Sequence, residues 1–432
     1  MSRVMLALEL FRSVPRYAAA RAITAAGGVP GLLVGPLAPV RLTTRNEPVV
    51  RRAGWAELKV HLSGICGSDL GAVTGTTSLY FAGVSSMPCV PGHEIVGTLT
   101  QDCEDLPAGT RVVVDPVLAC AARGLDACEQ CAAGHTNRCD RVSVGHLRPG
   151  LQTGYCASTG GGWGERLVVH RSQLHVVPET LSDTRAVLVE PLACAVRLAS
   201  QARVEEGQTV LVSGAGAVGL FATLAIRQLT PAGRIVVVAK HSAQAALARR
   251  FGATDVVQPA EALRGVRRLT QALTVQTRLP GIASRMDQEY LLGGVDVAVD
   301  AVGSASSLDM ALRTTRAGGR VVLSGMPATG ADLSPAWFRE LELVGTYASA
   351  GDAFPTALRL AQEAPLGDGV GGEGDVLGAV YPLHRWREAL PPPPSPGRLA
   401  PVRVPFAPRQ GGGGGAGADA RAGGRRGWPA RG

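Results

Sequence analysis

From Trp55 onward the text alternates. "WAELKVHLSGIC" sets apolar residues at nearly every second position before a polar loop, the pattern of a half-buried strand. "RVVVDPV" at 111–117 and "RLVVH" at 166–170 repeat a short apolar run between Gly- and Pro-rich stretches, which predicts a β-rich first domain. Near 180 the period lengthens. "ETLSDTRAVLVEPLACAVRLASQA" carries its apolar residues at helical spacing, with Ser182 or Asp183 placed to cap the N-terminus. Then comes "GQTVLVSGAGAVGLFATLAIRQL", a buried strand, a glycine turn and a helix. "RIVVVA", "SAQAALARRFGA", "VDVAVDAVGS", "GGRVVLSG" and "LELVGTY" continue the alternation of strand and helix. Such alternation predicts a doubly wound parallel sheet, and with the first domain an α/β protein. Residues 259–294 are less regular and read as surface. After 350 the chain returns toward the first domain, and "PPPPSPG" at 391–397 reads as a stiff linker or loop. Residues 1–40 hold Ala-rich helical pieces broken by Pro and Gly, and the pattern assigns them no element.

Composition adds two exclusions. The chain has 432 residues, 46% hydrophobic and 18% charged, enough for two buried cores. Its longest apolar stretches stop short of the ~20 residues of a membrane span, and no signal peptide is read at the N-terminus. The net charge of +8 raises the question of nucleic acid, but residues 409–432 hold five Arg against one Asp, so half of the excess sits in a Gly/Arg tail read as disordered. What remains is ordinary for a chain this long, and no nucleic-acid partner is expected. Without a signal peptide the cytoplasm is the expected compartment, and clustered Cys there read as metal ligands rather than disulfides.

Three groups carry candidate chemistry. Gly214-Ala-Gly-Ala-Val218-Gly219 fits G-x-G-x-x-G, follows a strand and opens a helix, as a dinucleotide fingerprint requires. Gly214 permits the tight turn, Gly216 admits a pyrophosphate, and Gly219 lets helix and strand close up. About 20 residues on, an acid would bind the ribose 2′-hydroxyl and repel a 2′-phosphate. Ala239 stands there, followed by Lys240, His241 and Ser242, which favours NADP over NAD. Cys120, Cys128, Cys131 and Cys139 form C-x7-C-x2-C-x7-C, a donor set suited to a closed structural zinc. Cys66 and His93 could be two ligands of a catalytic zinc. The third is open among Glu94, Glu190 and Cys194.

Taken in order, "GICGSDL", "PGHEIVG", the four-Cys lobe, "EPLAC", "GAGAVG" and "VDAVGS" resemble the zinc-dependent medium-chain dehydrogenase/reductases, the family of alcohol, sorbitol and threonine dehydrogenases. The resemblance runs from about Trp55 to about Pro408. It implies a GroES-like β domain at 41–177, a Rossmann domain at 178–340 and a return to the catalytic domain at 341–408, between an unassigned segment at 1–40 and a tail at 409–432. It implies Cys66 and His93 as zinc ligands, Glu94 as ligand or supporting acid, and Glu190 as the acid of the polyol branch. Ser68 resembles the hydroxyl that begins a proton relay, and Asp69 a residue that orients the ligands. The activity implied is reversible oxidation of an alcohol to a carbonyl, with hydride passing to a nicotinamide cofactor, in a homodimer or homotetramer. Three alternatives stay open: a zinc-free C=C reductase of the same superfamily, a lyase using bound cofactor, and a non-catalytic NADPH-binding protein. Gly71 stands where many members carry the His that passes the proton on, and the first gap of the lobe is longer than usual. Trp163 and Met326 read as core residues, with lining of the cleft as the alternative.

Overall fold

The computed structural model describes residues 3–25, 38–277, 288–325, 331–367, 370, 375–390 and 404–408. The segment that the pattern left unassigned opens the fold. Strand β1 (Val4–Leu10) pairs antiparallel with β2 (Val40–Asn46), and helix α1 (Val14–Ala25) lies between them. Met5, Ala7, Leu8 and Leu10 are buried, so the hairpin contributes to the core beside the first sheet. It also joins residues on both sides of the boundary expected at 40/41. The Ala-rich text hid it because a strand whose partner lies some 30 residues away carries no local turn signal.

The first sheet uses β3 (Trp55–Gly64), β4 (Ile95–Leu99), β5 (Arg111–Val114), β6 (Arg166–His170) and β7 (Leu174–Val176), with α2 (Gly67–Thr74) after β3 and α3 (Glu129–Ala132) in the lobe between β5 and β6. β3 is central, pairing antiparallel with both β4 and β6. Trp163 is fully buried against Phe406, which makes it core, while Met326 lies outside the described residues.

Helices α4 (Asp183–Ala186) and α5 (Val189–Ala202) lead into the second domain. Ser182 is the cap of α4, its hydroxyl accepting from the Arg185 N–H at 3.4 Å. There follow β8 (Thr209–Ser213), α6 (Ala217–Leu229), β9 (Arg234–Val238), α7 (Ser242–Arg250), β10 (Asp255–Val257), α8 (Ala262–Thr270), the hairpin β11 (Leu273–Thr277) and β12 (Gln288–Leu292), β13 (Val295–Asp300), α9 (Ala305–Thr314), β14 (Thr315–Leu323), α10 (Ser334–Phe338) and β15 (Glu342–Gly345). Six of the strands form one parallel sheet in the order β10-β9-β8-β13-β14-β15. The order reverses between β8 and β13, the crevice where such sheets bind nucleotides. β15 completes this sheet beyond the boundary expected at 340. The irregular text at 259–294 contains the antiparallel β11–β12 hairpin, with Leu291 fully buried.

The chain then packs α11 (Ala353–Glu363) on α5 and returns β16 (Tyr381–Pro382), α12 (Trp386–Ala389) and β17 (Pro405–Ala407) to the first sheet, β17 pairing with β3. The expected linker at 391–397 and the tail at 409–432 lie outside the described residues. Among the described residues, no helix is long and apolar enough to cross a membrane.

Candidate metal centres and nucleotide loop

Two clusters of metal-ligating side chains occur among the described residues. One is Cys66, His93 and Glu94, with their ligand atoms all within 4.8 Å of one another. Cys66 caps the N-terminus of α2, and His93 and Glu94 sit just before β4, so β3 and its neighbour deliver the ligands from adjacent strand ends. Gly64 is required at the junction, because a Cβ there would collide with the Glu94 carboxylate. His93 and Glu94 are buried and Cys66 half-buried.

Asp69, fully buried on α2, organises the cluster. Its Oδ2 accepts from the Cys66 N–H at 3.0 Å, and its Oδ1 lies 3.4 Å from His93 Nδ1. Burial pushes the His93 pKa down, but Asp69 and Cys66 outweigh it and hold the imidazole above its ordinary range. With Nδ1 turned to the carboxylate, Nε2 is the nitrogen left for a metal. A thiolate, an imidazole and a carboxylate at this spacing fit a zinc that keeps one open position.

Glu190, on α5, is not in that cluster. It accepts from Cys194 Sγ at 3.4 Å, one helical turn on. The Cys194 thiol is raised by burial and by the charges of Glu190, Cys66 and Glu94. Of the candidates for third ligand, Glu94 is the one brought into contact distance. Ser68 is half-buried on α2, one residue from Asp69.

The second cluster is Cys120, Cys128, Cys131 and Cys139, again with all four sulfurs within 4.8 Å, Cys120 and Cys139 at 3.6 Å. Backbone N–H groups point at the sulfurs, from Cys128 to Cys120 and from Arg141 to Cys139, each at 3.4 Å. Those of Cys131 and Asp140 lower the Cys128 thiol. Four thiolates cradled by amide donors fit a closed tetrahedral zinc.

At the nucleotide loop, Gly214 has φ +101°, a conformation that L side chains avoid. A Cβ on Gly219 would strike the Gly214 carbonyl, while one on Gly216 would meet nothing within 4 Å, which leaves that face open for a pyrophosphate. Gly216 caps α6 and Val218 lies in its first turn. At the end of β9, Ala239 is buried, and Lys240, His241 and Ser242 are exposed at the start of α7.

Pattern reading missed several groups. Tyr155 donates to Asp69 Oδ1 at 3.1 Å. Tyr347 donates to Gln152 at 2.9 Å, and burial together with Cys194, Glu190 and Asp115 raises its pKa. Arg123, wholly buried in the lobe, donates to the carbonyls of Leu118, Val144 and Gly150 at 2.9, 2.9 and 2.6 Å. No spacing marked them, since each acts through contacts made only in the fold.

Two family models match: the alcohol dehydrogenase GroES-like domain over residues 52–179, and the zinc-binding dehydrogenase over 217–363. Sorbitol dehydrogenase of Arabidopsis thaliana is 30% identical over 291 residues, 66% of this chain and 71% of that protein. L-idonate 5-dehydrogenase of Vitis vinifera is 28% identical, over 71% of this chain and 77% of that protein. In fold, the chain matches a crystal structure described as a putative zinc-binding dehydrogenase from Sinorhizobium meliloti bound to NADP, with TM-score 0.66 and 24% identity, over 94% of this chain and all of that one.

Proposed function

The chain belongs to the zinc-dependent medium-chain dehydrogenases, and from that premise we propose that Cys66, His93 and Glu94 hold a catalytic zinc and that Cys120, Cys128, Cys131 and Cys139 hold a structural one. The protein is an oxidoreductase that transfers hydride between an alcohol or carbonyl substrate and a nicotinamide cofactor. The observation that supports the catalytic assignment is convergence: three ligands from two separate segments meet beside a buried carboxylate that orients one of them.

When bound, zinc supplies Lewis acidity to an alcohol or carbonyl oxygen at its open position. The protein's own groups do the rest. Asp69 fixes the His93 tautomer and ties down the Cys66 backbone. Ser68 Oγ receives the substrate's hydroxyl proton. Glu190, on α5, together with the sorbitol and idonate dehydrogenases among the relatives, supports a polyol as substrate. Gly216 and the start of α6 bind the pyrophosphate. NADP is the proposed cofactor, because Ala239 offers no carboxylate to repel a 2′-phosphate and Lys240 offers a cation.

Two further proposals concern the whole molecule. A second copy joins at β15, the edge strand, beside the exposed Trp337 and Phe338 of α10, in a homodimer or homotetramer. Nine free cysteines and no disulfide support a reducing compartment, the cytoplasm.

The deciding experiment is zinc per chain on protein purified without added metal, with Cys66→Ala beside wild type. About two equivalents are expected in wild type and about one in the variant, with a loss of activity of roughly a hundredfold or more and an unchanged fold. One equivalent in both proteins, with turnover unaffected, overturns the assignment. A screen of sorbitol, xylitol and idonate with NADP tests the substrate class.

A further inference from the structure

Tyr155 lies in the loop between the cysteine lobe and β6, far in sequence from Asp69, yet its position is fixed from both sides. Its own N–H donates to the Gln152 carbonyl at 3.1 Å, and its carbonyl accepts from the Ser86 N–H at 3.1 Å. The preceding residue, Gly154, has φ +91°, and a Cβ there would press on the backbone of Gly92, about 3 Å away. Gly92 is the neighbour of His93. Two glycines in backbone contact therefore set the Tyr155 loop in register with a metal ligand.

The side chain uses that register. Its ring lies 6.0 Å from the His93 ring, tilted by 39°. Its hydroxyl donates to Asp69 Oδ1, the oxygen that faces His93 Nδ1. Burial and the Asp69 charge hold the phenol well above its ordinary pKa, so it stays a donor. One hydroxyl thus holds the carboxylate that orients the ligand.

We infer that Tyr155 is a positioning residue of the catalytic centre: its phenol fixes the Asp69 carboxylate against His93 and Cys66. The inference rests on the zinc reading proposed above. Carboxylates that orient metal-bound histidines are themselves held by hydrogen bonds, and loosening that outer layer typically costs ten- to a hundredfold in metal affinity or activity.

The test is Tyr155→Phe, which keeps the ring and removes the hydroxyl. Zinc release to a chromogenic chelator is followed in wild type and variant, and the visible spectrum is recorded after cobalt replaces the catalytic zinc. One equivalent should leave the variant about tenfold faster, with a shifted cobalt spectrum, while the lobe's equivalent leaves at the wild-type rate and reports that the chain is folded. The kcat should fall about tenfold with the KM for cofactor unchanged. Asp69→Asn should have a similar effect, and the double variant should be little worse than either, because the two residues act as a unit. Unchanged release, spectrum and kcat in a variant that keeps both zincs overturn the inference alone. A wild type that releases only the lobe's equivalent overturns the zinc reading itself and this inference with it.

Discussion

The two metal clusters are built in opposite ways. The lobe draws four thiols from the 20 residues between Cys120 and Cys139, and the groups that support it come from the same stretch or just beyond: amide donors from Cys128, Cys131 and Arg141, and the guanidinium of Arg123. The catalytic cluster takes Cys66 from one segment and His93 and Glu94 from another. It depends on Asp69 from α2, on Tyr155 from a loop past the lobe, and on the missing side chain of Gly64. A local site is specified by a short text. A distributed site leaves a position open, and its geometry is only as good as the fold around it.

The sharpest way to break that contrast is to remove one ligand from each. Cys131→Ala should empty the lobe and cost it the several kcal/mol that a structural zinc contributes to folding, so melting temperature falls, while molecules that stay folded keep their turnover. Cys66→Ala should do the reverse, with little change in melting and roughly a hundredfold or greater loss of kcat/KM. Calorimetry and steady-state rates on the two variants check both. If Cys66→Ala unfolded the chain, the catalytic cluster would be part of the folding core and the contrast would fail.

Arg123 sharpens the comparison next. Its buried guanidinium collects carbonyls from three turns of the lobe, and burial lowers its pKa. Arg123→Met keeps much of the volume but leaves those carbonyls unpaired, an expected cost of about 3 kcal/mol. Urea unfolding should register this with zinc bound and also after chelation. A cost that vanished once zinc was present would mean that the metal alone holds the lobe.

This division decides what the sequence could reveal. The lobe was legible because its ligands are neighbours, and the nucleotide loop because Gly214, Gly216 and Gly219 meet a local geometric need. Cys66, His93 and Glu94 were legible only through ordered motifs, and among Glu94, Glu190 and Cys194 no spacing chose the one within contact distance. Tyr155 and Arg123 left no trace, since a tyrosine in a loop and an arginine between cysteines both read as surface until the fold buries them. The β1–β2 hairpin was hidden for the same reason: its two strands are brought together only by the fold.

Acid should act on the stability of the fold through two opposed groups. His175 on β7 stacks on Phe354 of α11, rings 4.5 Å apart and within 6° of parallel, and burial lowers its pKa to about 4. Its folded value lies below the unfolded one, so its contribution to stability is present above about 6.5 and is lost as pH falls toward 4. Asp115 behaves oppositely. Burial, with Glu190 nearby, raises it to about 7, so its contribution is present in acid and is lost as pH rises through 7. Between pH 4.5 and 6.5 the two slopes offset each other. Asp115→Asn should therefore become about 2 kcal/mol less stable on going from 6.5 to 4.5, and His175→Leu should gain by a similar amount, both read from urea midpoints. Parallel profiles in the two variants would remove these groups from the account.

The smallest effect belongs to a third site, and it tests whether locality alone makes a site independent. Lys240 is exposed at the end of β9, where a charge acts through water and is screened by salt. Opposite a doubly charged 2′-phosphate it should still discriminate, because the competing cofactor lacks that group altogether. Lys240→Asp replaces attraction with repulsion and should weaken NADPH about tenfold at low salt, about 1.4 kcal/mol, with a smaller loss at high salt and little change for NADH. Fluorescence titration of both cofactors measures this. Zinc content and the kcat of saturated enzyme should not move, since neither cluster shares a residue with the start of α7. Wild-type protein that bound NADH tenfold more tightly would overturn the NADP proposal and leave Lys240 as a solvated residue at a strand end. A variant that lost zinc along with NADPH would instead tie the nucleotide site to the distributed centre, and only the cysteine lobe would then stand alone.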